Sequence, residues 1–421
     1  MHSNDALSIS PHHRSSRKDL CASATQASLR LMVTMAMVAM LMNILQASRW
    51  VKTRSSMNEE DFYDFISNQR KDDKPTRQLC SGLPCPPIDA VIPWVNGTEP
   101  KRLSELQKYS LRKEDSSAKR YRDLGELRYA LRSIHTYAPW IRKIFLVVSD
   151  KNRQVPYWLD KNHPRITIVE HLDIWEDPSL LPTFDSNKID CHFHRIPGLS
   201  DDFLYFNDDM MLTRPLSLYG DLWNSTAKET IFYLESFDFH TNLTLAKGWH
   251  RVLASTHNLF VQKYGERSMV KGHKRQFAHT PYFYNKKIWN EMRSKAFKKE
   301  YDSFLFNGSK FRAEGALQTQ TMYGHYLMWN LMNQTDSTYP YNYVVKNAKT
   351  SLYGFAITHN RTMIRRNFEK ARNSTKRFLT VQDELGGWVD HAVLKEIHLG
   401  FEKIFPAKAP WELDRSSSSV Q

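Results

Sequence analysis

The run FLYFNDDMML, residues 203 to 212, carries four apolar residues straight into an amide and two adjacent carboxylates, Asn207, Asp208 and Asp209. Neighbouring carboxylates offer oxygen ligands to a hard divalent ion, Mg²⁺ or Mn²⁺. Such an ion could bridge the phosphates of a nucleotide sugar and offset charge on its leaving group. A solvated turn is the plainer reading of the same residues, and spacing alone does not exclude it. A second loop of interest closes IDAVIPWVNGTEP, residues 88 to 100, where an apolar segment runs into Asn96-Gly97. In a parallel sheet, ligands sit beyond the carboxyl ends of the strands, so Trp94, Asn96 and Gly97 would line a crevice, with Gly97 letting the backbone approach a phosphate. A hairpin turn beside a core tryptophan is the plainer reading of that stretch taken alone.

The surrounding elements are those that could hold such loops. RDLGELRYALRSIHTYAPW, residues 122 to 140, repeats Leu124, Leu127, Leu131 and Ile134 on one face, with Asp123 and Glu126 at capping-box spacing. This predicts an amphipathic helix ending near Pro139. Arg128 and Arg132, one turn apart on another face, either meet solvent or clamp a diphosphate. KIFLVVSD, RITIVEH and FLYF read as buried strands. KIDCHFHRIPG, just before the last of them, reads as a helix closing at Pro197-Gly198. The alternation predicts an α/β fold, a largely parallel sheet flanked by helices.

Length and charge narrow the class. The chain has 421 residues, 41% of them hydrophobic, enough for a substantial core, and a formal net charge of +14. That charge favours anionic partners, yet the cations are spread widely and no nucleic-acid motif is present, so nucleic acid is not expected. The uncharged run LMVTMAMVAMLMNIL, residues 31 to 45, predicts a single N-terminal transmembrane helix, a signal anchor spanning 31–50 behind a cytosolic tail, 1–30. A cleaved signal peptide is the alternative. Glycosylation signals at Asn96, Asn224, Asn242, Asn307, Asn333, Asn360 and Asn373 all follow that run, which predicts a lumenal body. Residues 51–87 read as a stem and 414–421 as a disordered tail. Cys80 and Cys85 either close a small disulfide loop or stay as separate thiols, while Cys21 and Cys191 have no evident partner. Nothing in the sequence specifies an oligomeric state.

Several long blocks together resemble the ordered conserved regions of the Stealth proteins: IDAVIPWVNGTEP, RDLGELRYALRSIHTYAPWIRKIFLVV, LPTFDSNKIDCHFHRIPGLSDDFLYFNDDMML, AHTPYFYNKKIWNEM and VQDELGG followed by FEKIFPAKAPWE. The resemblance covers residues 88 to 413. It implies a glycosyltransferase-A-like, Rossmann-like catalytic domain over that range. The implied reaction moves hexose 1-phosphate, GlcNAc 1-phosphate for example, from a nucleotide diphosphate sugar such as UDP-GlcNAc to a hydroxyl of a glycan or glycoprotein. Products would be a phosphodiester and a nucleoside monophosphate.

The same resemblance implies residue roles. His279 would be the general base, since imidazole titrates near neutral pH, and Arg312 would hold the transferred phosphate. Asp208 and Asp209 would ligate the metal, with Asp209 also at the reaction centre. Asp89, Trp94, Asn96, Gly97, Arg128 and Asn207 would form the donor pocket, which would leave Asn96 unglycosylated. His192, His194 and Arg195 are expected to be structural, and Asp383 receives no role. Asp190 stands where glutamate is usual and Asn285 where some relatives carry aspartate. The implied setting is the Golgi membrane, single-pass type II, with the catalytic domain lumenal. Two other functions fit the residues: a conventional metal-dependent glycosyltransferase that releases nucleoside diphosphate, and a non-catalytic lumenal carbohydrate-binding relative.

Overall fold

The computed structural model describes residues 87–413 apart from 111–116, 218–220, 225–228, 247, 266–273, 313–314 and 334–341, together with a short hairpin of β1 (Leu79–Cys80) and β2 (Leu83–Pro84). The described residues all fall in the unit Pro75–Gln421. The expected tail, signal anchor and most of the stem, as well as Cys21, Cys85 and residues 414–421, lie outside them. Among the described residues no helix is long and apolar enough to cross a membrane.

The central sheet is made of the apolar runs. It orders β3 (Asp89–Pro93), β4 (Ile144–Val148) and β5 (Ile166–Glu170) on one side, and β6 (Asp202–Tyr205) beyond β3, all parallel. β4 is buried along its whole length, as an uninterrupted Ile-Phe-Leu-Val-Val run requires of a strand covered on both faces. The expectation of a largely parallel sheet needs one amendment, because the edge strand β11 (Tyr282–Asn285) runs antiparallel to β6.

Two further sheets complete a mixed α/β architecture. β7 (Met210–Leu212) pairs with β14 (Phe378–Asp383), which pairs with β13 (Leu352–Ile357). The third sheet joins β8 (Trp223–Asn224), β9 (Glu229–Asp238), β10 (Arg275–Phe277) and β12 (Asn342–Asn347). The helix Glu126–Tyr137 lies between two cores: Leu127, Leu131 and Ile134 enter the main one, whereas Tyr129 and Ala130 enter a second with Met211, Leu379, Phe368 and Phe401. Burial of each of Leu127, Leu131 and Ile134 contributes about 1.5–3 kcal/mol. Leu124, expected on the same face as Leu127, Leu131 and Ile134, joins the second core, so the helix buries two faces and not one.

The start of that helix also differs from expectation. No capping box forms, because Gly125 at φ 97° occupies the N-cap in a left-handed conformation that a side chain would strain. Glu126 instead accepts from the Leu124 N–H at 2.5 Å, and Asp123 from the Gly125 N–H at 2.7 Å. KIDCHFHRIPG is likewise broken, into a short helix Ser186–Asp190 and a 3₁₀ turn Phe193–Arg195.

Candidate active site

The loop after β6 carries the chain from the central sheet into β7 and the second one. Phe206, fully buried, donates its N–H to Val91 O at 3.0 Å, and Met210, 1% exposed, closes the turn onto Asn207 O at 3.1 Å. Apolar anchors on both sides thus hold Asn207, Asp208 and Asp209 at the carboxyl end of the sheet. The antiparallel register of β11 does the rest. Tyr282 pairs with Tyr205, so the residues that precede β11 arrive where β6 ends. His279 is among them, and Thr380 Oγ1 of β14 fixes its backbone by donating to the His279 carbonyl at 2.7 Å.

Its imidazole Nε2 lies 2.8 Å from Asp209 Oδ1 and 3.3 Å from Asn207 Nδ2. Tyr205 OH stands within hydrogen-bond reach of Asn207 Oδ1 and, at 3.3 Å, of Asp190 Oδ2, with one proton to donate between them. A polar chain therefore runs from buried Asp190 to the cavity. That cavity has a volume of about 340 Å³, and Trp94, Asn207, Asp208, Asp209, His279 and Arg312 all line it. Arg312 is positioned through its neighbour: Phe311 stacks on Phe184 with centroids 4.8 Å apart, and Phe184 N–H bonds to Lys310 O at 2.7 Å. Its Nη2 donates to Ser186 Oγ at 2.6 Å, its Nε lies 3.7 Å from Asp185, and its guanidinium stands 5.0 Å above the Trp249 ring.

Electrostatically the site is strongly acidic at its centre. Burial first, then Asp209 and Asp123, push the Asp208 carboxyl well above the usual carboxylate range. Burial, then Asp123 and Asp208, do the same to Glu126. Burial opposes protonation of His279, but the charge and hydrogen bond of Asp209, with Asp208 and Glu235, raise it overall. Carboxylates forced together this way fit a divalent cation. Among the described residues no group of three or more His, Cys, Asp or Glu is arranged to hold a metal by itself.

Four of the residues expected in the donor pocket lie away from this cavity. Asp89 begins β3 and so sits at the amino end of the sheet, away from the cavity. It is fully buried and accepts from Arg142 Nε and Nη2 at 2.8 and 2.6 Å and from Ser200 N–H at 2.8 Å. Arg128 stacks over Trp158 at 4.7 Å, 3.9 Å from Glu412. Its neighbour Arg132 is buried on Glu412 and Glu402, so neither clamps a phosphate. Asn96 and Gly97 do not line the cavity. Asn96 turns on itself, accepting from Thr98 N–H at 3.0 Å, and its backbone is bracketed by the Gln154 amide. Gly97 is needed for close approach to protein, not phosphate, because a Cβ there would lie 2.1 Å from Tyr121 O. His192 is structural as expected, stacked on Trp175 at 4.0 Å with Nδ1 2.7 Å from Lys188 O.

Sequence reasoning missed the cavity's basic wall. Lys119, Arg120 and Arg122 line it just ahead of the helix Glu126–Tyr137. Arg122 pairs with Asp383 at 2.7 Å, which gives Asp383 a place at the cavity wall. Three cations within four residues before a helix were the available signal. Glu126 was missed because capping explained it locally.

Comparison with known proteins finds matches over the same stretches of chain. Stealth protein conserved region 1 matches residues 86–114, region 2 matches 120–230 and region 3 matches 278–328. An exopolysaccharide phosphotransferase of Streptomyces coelicolor is 47% identical over 131 residues, 30% of this chain and 21% of that one. Exopolysaccharide phosphotransferase CpsY of Mycobacterium tuberculosis is 44% identical over 133 residues, 31% and 24% of the two chains. The N-acetylglucosamine-1-phosphotransferase subunits alpha/beta of Mus musculus are 50% identical over 121 residues, 29% and 9%. The chain thus spans less than a quarter of these relatives' length. Among solved structures, galactosyltransferase LgtC with donor and acceptor sugar analogues superposes at a TM-score of 0.34 and 12% identity, over 75% of this chain and 95% of that one, too loosely to bear on function.

Proposed function

The chain belongs to the Stealth family, and on that premise we propose that it transfers a sugar 1-phosphate from a nucleotide diphosphate sugar to a glycan hydroxyl. The observation that carries this reading is the convergence of His279, Asp209 and Arg312, from three separate segments, on one cavity at the carboxyl ends of the parallel strands. In the reaction, the acceptor oxygen bonds to the β-phosphorus of the donor and the bond from that phosphorus to the bridging oxygen breaks. Nucleoside monophosphate leaves with the bridging oxygen, and the bond between the sugar's anomeric carbon and its phosphate stays intact. The hydroxyl proton passes to the His279–Asp209 pair, general-base assistance that contributes about 10²–10⁴-fold in rate.

Arg312 supplies a planar guanidinium for the oxygens of the transferred phosphate, held in place by Ser186 and Asp185. Asp208 and Asp209 would hold Mg²⁺ or Mn²⁺, which when bound offsets negative charge on the diphosphate. Trp94 and the wall of Lys119, Arg120 and Arg122 form the remaining donor surface. UDP-GlcNAc is the proposed donor, in keeping with the name of the mouse relative. The glycosylation signals support a lumenal, type II placement in the Golgi membrane.

A donor labelled with ³²P in its β-phosphate tests the reading. Label recovered on the glycan, in a linkage that keeps the sugar, is expected. Label remaining with the nucleotide while the sugar moves would replace this reading with conventional glycosyl transfer.

A further inference from the structure

Trp388 is 79% exposed, the most exposed large apolar side chain among the described residues. Isolated exposed apolar residues are ordinary on protein surfaces, so exposure by itself says little. Its mounting is what sets it apart. The segment from Asp383 to Asp390 leaves the cavity wall at the end of β14 and is tied down at several points. Arg122 pairs with Asp383 and donates to three successive carbonyls, Leu385 O at 3.2 Å, Gly386 O at 2.9 Å and Gly387 O at 3.0 Å. Lys119, another residue of the cavity wall, pairs with Glu384 at 2.8 Å.

Inward-facing Leu385, 1% exposed, anchors the segment in the second core. At the far end Asp390 caps the helix His391–Ile404, accepting from Ala392 N–H at 3.0 Å. The indole is therefore held out into solvent by a rigid strap whose fastenings are the cavity's own cations. Gly386 and Gly387 place no side chain between it and the Arg122 end of the strap. Immobilising the strap in advance lowers the ordering cost of any ligand that lands on it.

We propose that Trp388 is the stacking platform for a pyranose ring of the glycan acceptor, beside the mouth of the cavity. The chemistry matches: one face of a pyranose presents a patch of C–H groups, and an indole face offers a flat apolar surface with negative quadrupole charge. A tryptophan buries a large area with few rotatable bonds, so a single ring can dominate a weak carbohydrate contact. The assignment of the ligand as acceptor rests on the proposed transfer reaction, while the platform itself does not.

The test measures binding of neutral oligosaccharides, mannotriose, chitotriose and galactotriose, to the full chain by saturation-transfer NMR, with Trp388→Ala and Trp388→Phe as variants. Wild type is expected to bind at least one of them, Trp388→Ala to lose about tenfold in affinity, and Trp388→Phe to keep most of it. Thermal melting of both variants should match wild type, since the side chain buries little. Nucleoside monophosphate release from UDP-GlcNAc without acceptor should be unchanged in Trp388→Ala. Binding of none of the three sugars by wild type, unchanged binding by Trp388→Ala, or loss of donor hydrolysis in that variant would each overturn the platform. Sugar binding that depends on Trp388 in a protein that releases no monophosphate would support the platform while removing the transfer reading.

Discussion

His279 Nε2 stands 2.8 Å from Asp209 Oδ1, although 70 residues separate the two in sequence. The pairing follows from strand order: β11 is laid antiparallel on β6, so the approach to one strand meets the exit of the other. Asp209 raises the imidazole's proton affinity and is also the strongest neighbouring charge acting on the Asp208 carboxyl. In the proposed reaction, acid–base chemistry and charge neutralisation would meet at this one side chain.

Removing either partner should stop turnover without unfolding the protein. His279→Ala leaves the backbone carbonyl that Thr380 holds, and the side chain of Asp209 bonds to no structural element besides His279 among the hydrogen bonds described. Both His279→Ala and Asp209→Asn are expected to lower kcat by about 10²–10⁴-fold with melting temperatures near that of wild type. Rates within a few fold of wild type in steady-state assays would remove the pair from the chemistry.

Gly97→Ala tests how the basic wall is positioned. The new Cβ would lie 2.1 Å from Tyr121 O, backbone that cannot rotate away. Relief requires the segment 120–122 to move, and with it Arg120 and Arg122 of the cavity. The expected result is destabilisation of about 1–3 kcal/mol by denaturant titration together with a raised KM for the donor. An unchanged KM would mean that the segment yields without consequence for the site.

Asp89 separates fold from function. It accepts four hydrogen bonds in a fully buried position, from Arg142 Nε and Nη2, Lys143 N–H and Ser200 N–H. Asp89→Ala leaves the buried Ser200 N–H unanswered, while the half-exposed Arg142 can turn to solvent, and should cost about 1–3 kcal/mol of stability. The folded fraction should bind donor with wild-type KM. A variant of normal stability that fails to bind donor would return Asp89 to the pocket.

Asp190 provides a pH signature. Burial, opposed by Gln320, Arg312 and Tyr205, pushes its carboxyl up to about 7. Because the folded value exceeds the unfolded one of about 3.9, the folded state holds this proton more tightly. Its contribution to stability is complete below about pH 4 and is lost as pH rises through about 7. Buried His171 and His192, held down to about 3 and about 4, act in the opposite sense, so the comparison must be made between variant and wild type. Relative to wild type, Asp190→Asn should gain stability steadily between pH 4 and 7 in melting curves. Parallel curves would show that Asp190 is ionised throughout.

How much of this was legible in the sequence depends on whether a residue's role was set by its neighbours in the chain. Strands at 144–148, 166–170 and 202–205 were readable because continuous apolar runs have few other uses. Trp94 and the Asn207–Asp209 turn were readable because strand ends deliver loops. Asp89 misled because it abuts the same strand at its other end, a distinction that only strand direction settles. Arg128 misled because its partners, Trp158 and Glu412, come from 30 and 284 residues away. Placing His279 and Arg312 took the family pattern, since no local feature marks either. The cation wall at 119–122 was visible as composition, but its pairing with Asp383 comes from a strand more than 250 residues later.

The central claim is that phosphorus moves with the sugar, and the nucleotide released is the most direct report of it. Purified protein incubated with UDP-GlcNAc, Mg²⁺ and an oligosaccharide acceptor should yield uridine monophosphate in step with the formation of a phosphodiester product. Uridine diphosphate, released in equal amount to glycan carrying a new glycosidic bond, would contradict the account.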